Sequence, residues 1–139
     1  MMSALKDLDN WELWIVGDGP QKQNLENTVK NLQLTDRVRF FGHQPDVRPF
    51  FSIADLFIQP SYANEGVSQS VLQALALEVP CIVGNIEGLN SVIHQNETGW
   101  LVEPKSAESI VRAVAHFESI PIENVARVLA QGRRLVEGR

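Results

Sequence analysis

Short runs of apolar residues alternate along the chain with segments in which apolar positions recur every three or four residues. The first pattern predicts buried strands, the second amphipathic helices. Residues 12–17 (ELWIVG) read as a strand, 20–32 as a helix with Leu25, Val29 and Leu32 on one face, and 37–42 (RVRFFG) as a second strand. A short helix over 46–54 leads to a third strand, 56–61 (LFIQPS), and then to a helix over 66–77. A fourth strand, 80–85 (PCIVGN), is opened by Pro80, where the missing N–H is tolerated. A helical turn near 89–94, a last short strand over 98–102 and helices over 107–117 and 122–135 complete the order. Strands alternating with helices predict an α/β fold, a doubly wound, Rossmann-like parallel sheet with helices on both faces, because parallel neighbours need right-handed crossovers.

With 139 residues, 44% of them hydrophobic, the chain has the composition of one soluble globular domain, 1–139. At that length a core buries roughly two-thirds of the unfolded surface, so neither metal nor disulfides are needed. Cys81 has no partner cysteine, and nothing ahead of the first strand has the basic start and apolar stretch of a signal peptide. The expected compartment is the cytoplasm. No apolar run nears the roughly 20 residues of a transmembrane segment, and a net charge of −5 argues against coating nucleic acid. Arg133, Arg134 and Arg139 read as cations suited to a helix end or as a small basic patch.

In an open parallel sheet, ligands sit beyond the carboxyl ends of the strands, here the loops after Val16, Phe41, Ser61 and Val83. Gly17-Asp18-Gly19-Pro20 begins like a dinucleotide fingerprint but has Lys22 where the third glycine would stand, so it also fits a plain tight turn. In Gly42-His43-Gln44-Pro45-Asp46, the glycine lets a ligand approach the backbone, while Asp46 can cap the next helix. The third loop runs Tyr62-Ala63-Asn64-Glu65-Gly66-Val67-Ser68-Gln69-Ser70-Val71-Leu72-Gln73. A helix starting at Gly66 would present the N–H groups of Gly66, Val67 and Ser68 and a positive dipole end, which suits a diphosphate. Glu65 stands before that end and Gln73 about two turns beyond, so carboxylate and amide can bind hydroxyls on either side of a diphosphate, as in a sugar nucleotide. The spacing fits equally well an ordinary first-turn acid and a surface glutamine.

His43, His94 and His116 show no metal spacing, and no Gly-x-Ser-x-Gly elbow surrounds Ser61, Ser68 or Ser70. Cys81, inside a strand without a neighbouring base, reads as a core residue.

Taken in order, Ile15-Val16-Gly17-Asp18-Gly19-Pro20, Asp36 to Gly42, Ala54 to Ser61, Glu65-Gly66, Ala74-Leu75-Ala76, Val79 to Val83 and Asn96 to Val102 resemble a known family. From Trp11 to about Phe117 the chain is similar to the C-terminal, donor-binding half of GT-B fold glycosyltransferases of the retaining, family-four type. In that family the helix motif has two glutamates eight residues apart. Here Glu65 fills the first position and Gln73 the second, and Gly66-Val67-Ser68-Gln69 resembles a variant with Gly-Val-Pro-Gln and a second-place glutamine.

The resemblance implies that Glu65 and the amides of Gly66, Val67 and Ser68 bind the transferred sugar and diphosphate, with Glu65 as the catalytic residue. It implies that Gln73 binds the ribose, less strongly or differently tuned for lack of charge, and that Gly42, His43 and Gln44 line the base pocket. It implies retention of configuration, the donor's own phosphate as base, and no metal or other cofactor.

The family's opening strand, its loop with an arginine and a lysine for the diphosphate, and its acceptor-binding N-terminal half have no counterpart here. Transfer is therefore expected to need a separate acceptor-domain subunit, the chain alone being inactive. In the order 3-2-1-4-5-6 the missing strand is central, so strand 12–17 is expected to lie beside strand 56–61 in a five-stranded sheet. Otherwise a homodimer covers the bare edge. The missing cations and Gln73 fit instead a non-catalytic GT-B-like interaction or scaffold module, and an unrelated doubly wound nucleotide binder is the third reading.

Overall fold

Strands and helices alternate as the hydrophobic pattern predicts, and every ladder is parallel. The computed structural model describes residues 2–17, 22–60 and 68–138, and the chain divides into two units, Met1–Val47 and Arg48–Arg139.

In the first unit, α1 (Met2–Leu5) precedes β1 (Leu13–Val16), α2 (Lys22–Asn31) and β2 (Val38–Gly42). α1 is too short to carry a periodic signal, yet Met2, Ala4 and Leu5 are buried. Leu13 lies opposite Val38 and Ile15 opposite Phe40. These four join Met2, Leu5, Leu25, Val29, Leu32 and Leu34 in one apolar cluster. Trp14 projects to the other face because side chains alternate along a strand, and it packs on Phe41 at 4.9 Å between ring centroids. Its indole N–H donates to Glu12, which also pairs with Arg39. The Arg37 guanidinium donates to the carbonyls of Leu8 and Trp11, fastening the segment that leads into β1.

The second unit runs α3 (Arg48–Ile53), β3 (Phe57–Gln59), α4 (Gln69–Ala76), β4 (Cys81–Gly84), β5 (Trp100–Val102), α5 (Ala107–Ser119) and α6 (Ile122–Glu137). β4 is central and buried throughout, between β3 and β5. Ile82 pairs with Ile58 on one side and Trp100 on the other. α4 packs on β4 and α6, and α5 on β5. Gly99 lets the chain entering β5 pass close to β4, since a Cβ there would lie 2.8 Å from the Cys81 carbonyl oxygen. α2 and α4 both end in Schellman motifs, with Leu34 N–H on the Val29 carbonyl and Val79 N–H on that of Ala74. The residues that reverse these helices, Gln33 and Glu78, sit at φ 58° and 55° without being glycine.

Two expectations need correction. The strands form two sheets, β1-β2 and β3-β4-β5, and not one sheet with β1 beside β3. Each α-helical crossover, β1-α2-β2 and β3-α4-β4, fixes its own pair, and in the doubly wound order the strands corresponding to β1 and β3 are not neighbours. The helix expected over 66–77 begins at Gln69, because Ser68 has extended φ and ψ of −79° and 129° and caps it.

Candidate functional site

The carboxyl end of β3 is where the pattern places ligand chemistry, and β3 ends there on a polar residue. Gln59 closes an otherwise apolar strand and is half-buried. Its side-chain oxygen accepts the Ser68 hydroxyl proton at 3.1 Å. The same hydroxyl oxygen accepts the Val71 N–H at 3.4 Å, the bond expected of a helix N-cap. The Ser68 carbonyl accepts from Leu72 N–H at 3.1 Å, the first main-chain bond of α4. With Val71 satisfied by the cap, the first-turn amides of Gln69 and Ser70 lack an intrahelical acceptor. No acidic side chain occupies that turn. Gln73 is exposed one turn on, about 6 Å along the axis from Gln69, and its side chain makes no hydrogen bond among the described residues. Glu65, Gly66 and Val67 lie outside the described residues.

In the first unit the expected base-pocket residues lie at the carboxyl end of β2, Gly42 closing the strand and His43 and Gln44 following it. Gly42 sits at φ 68°, a left-handed conformation that suits glycine, and its carbonyl accepts the Gly17 N–H at 2.7 Å. The pairing of β1 with β2 shifts register between Ile15 and Val16, so the two glycine turns meet at the strand ends. Gln44 folds back and donates its side-chain N–H to the Phe41 carbonyl at 2.7 Å, which orients the loop. His43 is exposed.

Sequence reasoning missed Gln59 and used Ser68 only for its main chain. A polar residue ending an apolar strand, followed by a serine ahead of a helical pattern, was the available signal. Among the described residues no group of three or more histidine, cysteine or acidic side chains is arranged to hold a metal, and no helix is long and apolar enough to cross a membrane. Cys81 is fully buried, and burial pushes its thiol up to about 12. A hollow of about 330 Å³ lies at the opposite, amino end of β5, lined in part by Asn96, Trp100, His116 and Arg127.

Parallel strands joined by helical crossovers, with a capped helix opening at a carboxyl strand end, define an α/β protein of the doubly wound class. The model of the family described as Glycosyl transferases group 1 matches residues 1–134, and the chain belongs to that family. The lipopolysaccharide core biosynthesis glycosyltransferase LpsE of Rhizobium meliloti is 32% identical over 127 residues, covering 91% of this chain and 36% of LpsE. Among solved structures, Anabaena HepE in complex with UDP-glucose superposes with a TM-score of 0.91 at 19% identity, covering 99% of this chain and 39% of that one, a likeness of fold. The C-terminal domain of the group 1 glycosyl transferase LpcC of Francisella tularensis gives 0.80 at 25% identity, covering 99% of this chain and 74% of that one. The chain spans about a third of the length of LpsE.

Proposed function

We propose that this chain is the donor-binding part of a retaining glycosyltransferase, taking a nucleotide-diphosphate sugar whose glycosyl group passes to an acceptor held elsewhere. The family match over residues 1–134 carries the reading. The capped opening of α4 beside the end of β3 supports it, because amides of a helix's first turn suit a diphosphate. The UDP-glucose held by HepE supports the ligand class. Glu65 is assigned to the transferred sugar, the amides of Gly66, Val67 and Ser68, joined by the open first-turn amides of Gln69 and Ser70, to the diphosphate, Gln73 to the ribose, and Gly42, His43 and Gln44 to the base. No metal takes part in this scheme.

Relatives such as LpsE are almost three times as long as their match to this chain, so transfer is assigned to this domain acting with an acceptor-binding half. The acceptor half is covalently attached or a separate subunit. The outer edge of β1 is the surface through which a second copy would pair. A lone, buried cysteine suits the cytoplasm.

Calorimetric titration with UDP, GDP and ADP, then with the matching sugar nucleotides, tests the reading. One base should be preferred, and Glu65→Ala and Gln73→Ala should each weaken the sugar nucleotide. Glu65→Ala should spare the free nucleoside diphosphate. Absence of binding at millimolar ligand would refute the reading and leave a GT-B-like interaction module, which the uncharged Gln73 favours.

A further inference from the structure

Resting on that donor-site reading, we infer that Gln59 is a positioning residue for the diphosphate subsite, acting through Ser68. The hydrogen bonds form a chain: Val71 N–H donates to Ser68 Oγ, and Ser68 Oγ–H donates to Gln59 Oε1. Without Gln59 the Ser68 hydroxyl is free to rotate, and the cap bond alone holds it. With Gln59 the proton has one acceptor, which leaves an oxygen lone pair for Val71 and ties the opening of α4 to the rim of the sheet. Linked hydrogen bonds also polarise one another, so each member of the chain strengthens the next.

Three observations locate the effect. Gln59 is the last residue of β3, whose register is set by Phe57 opposite Cys81, Ile58 opposite Ile82 and Gln59 opposite Val83 in a buried central strand. The acceptor is therefore held by the sheet rather than by a loop. Ser68 immediately precedes the two first-turn amides without an intrahelical acceptor, Gln69 and Ser70. Gln59 and Ser68 also stand in sequence on either side of residues 61–67, which include Glu65, Gly66 and Val67. Hydrogen-bond donors pre-aimed at an anion cost no reorganisation when it binds, and losing the clamp loses that advantage.

The effect should fall on the diphosphate and leave the nucleoside alone. The test measures, for the full chain, the dissociation constants of the preferred nucleoside diphosphate among UDP, GDP and ADP and of its nucleoside. The variants are Gln59→Leu, Ser68→Ala, Ser68→Thr and the double variant Gln59→Leu with Ser68→Ala. Gln59→Leu and Ser68→Ala should each weaken the diphosphate about five- to tenfold, the loss expected of one hydrogen bond. The nucleoside should change less than twofold. Ser68→Thr, which keeps a hydroxyl, should restore most of the affinity, and the double variant should be no worse than the weaker single one.

Undiminished diphosphate affinity in Gln59→Leu would overturn the inference while leaving the donor site standing. Equal losses for diphosphate and nucleoside, accompanied by a lower melting temperature, would make Gln59 a merely structural residue and also overturn it. A wild-type chain that prefers no nucleoside diphosphate over its nucleoside would overturn the donor-site reading and this inference together.

Discussion

Replacing Thr98 by valine changes one hydroxyl to a methyl at almost constant shape and should destabilise the second unit by about 2 kcal/mol. Thr98 is 7% exposed and closes the turn that leads into β5. Its hydroxyl donates to the Val92 carbonyl at 2.7 Å and accepts the His94 N–H at 2.9 Å. Valine leaves the buried Val92 carbonyl without that donor, which costs about 1–3 kcal/mol, and strands a partly buried N–H for about 1 kcal/mol more. The added methyl returns about 0.8 kcal/mol of apolar burial. Thr98→Ser keeps both bonds and loses only a methyl, so it should cost about 1 kcal/mol. For a chain of this length, the valine variant should melt about 6–10 °C below wild type, at about 3–5 °C per kcal/mol. Urea unfolding should move the midpoint with little change in slope. The order of stability should be wild type, serine, valine. A valine variant at least as stable as the serine variant would show that the hydroxyl bonds contribute less than the methyl, and would refute the reasoning.

Glu78→Gly should raise stability by about 1 kcal/mol, because Glu78 holds φ 55° at the end of α4, where only glycine escapes the Cβ clash. Its ion pair with Arg133, at 3.8 Å between half-exposed side chains, offsets little of that gain, and a lower melting temperature would contradict the assignment. Cys81 should resist iodoacetamide at pH 8 in the folded chain and react only on unfolding, since its thiol is pushed up to about 12 by burial. The unfolded thiol ionises near 9.0, so the native state binds the extra proton above that pH. Stability should fall between pH 9 and 12, and Cys81→Ala should flatten that dependence in urea titrations.

Much of the fold was legible because its strongest signals are local. Within residues 80–85 (PCIVGN), Cys81, Ile82 and Val83 form an unbroken apolar run, and β4 is the strand buried throughout. The 3.6-residue period over 107–117 became α5, whose last turn runs on to Ser119. Three features were hidden for different physical reasons. α1 is one turn long, too short for periodicity, and is held by the burial of Met2, Ala4 and Leu5. The start of α4 turned on the Ser68 side chain, which caps the helix at a place that a hydrophobic period cannot mark. Strand partnership is a tertiary fact, so an apolar edge on residues 12–17 could not say which strand would pair with it. Of the expected site, Ser68 caps α4 and Gln73 lies on it, Gly42 ends β2 with His43 and Gln44 after it, and Glu65, Gly66 and Val67 lie outside the described residues.

The cap also changes what the motif can do. With the helix taken from Gly66, the spacing puts Gln73 two turns into α4, far from the opening amides. With the helix opening at Gln69, Gln73 is one turn in, about 6 Å along the axis from the first free amide. On the proposed assignment, the opening amides and the Gln73 side chain would serve adjoining parts of one ligand, which suits a ribose joined directly to its diphosphate. A neutral amide at this place forms weaker hydrogen bonds to hydroxyls than a carboxylate, but it adds no negative charge beside the phosphates. On the proposed assignment, affinity therefore shifts from the ribose toward the diphosphate. That shift makes the orientation of the Gln69 and Ser70 amides, and with it the Gln59–Ser68 bond, weigh more in this chain than in one with a glutamate at position 73.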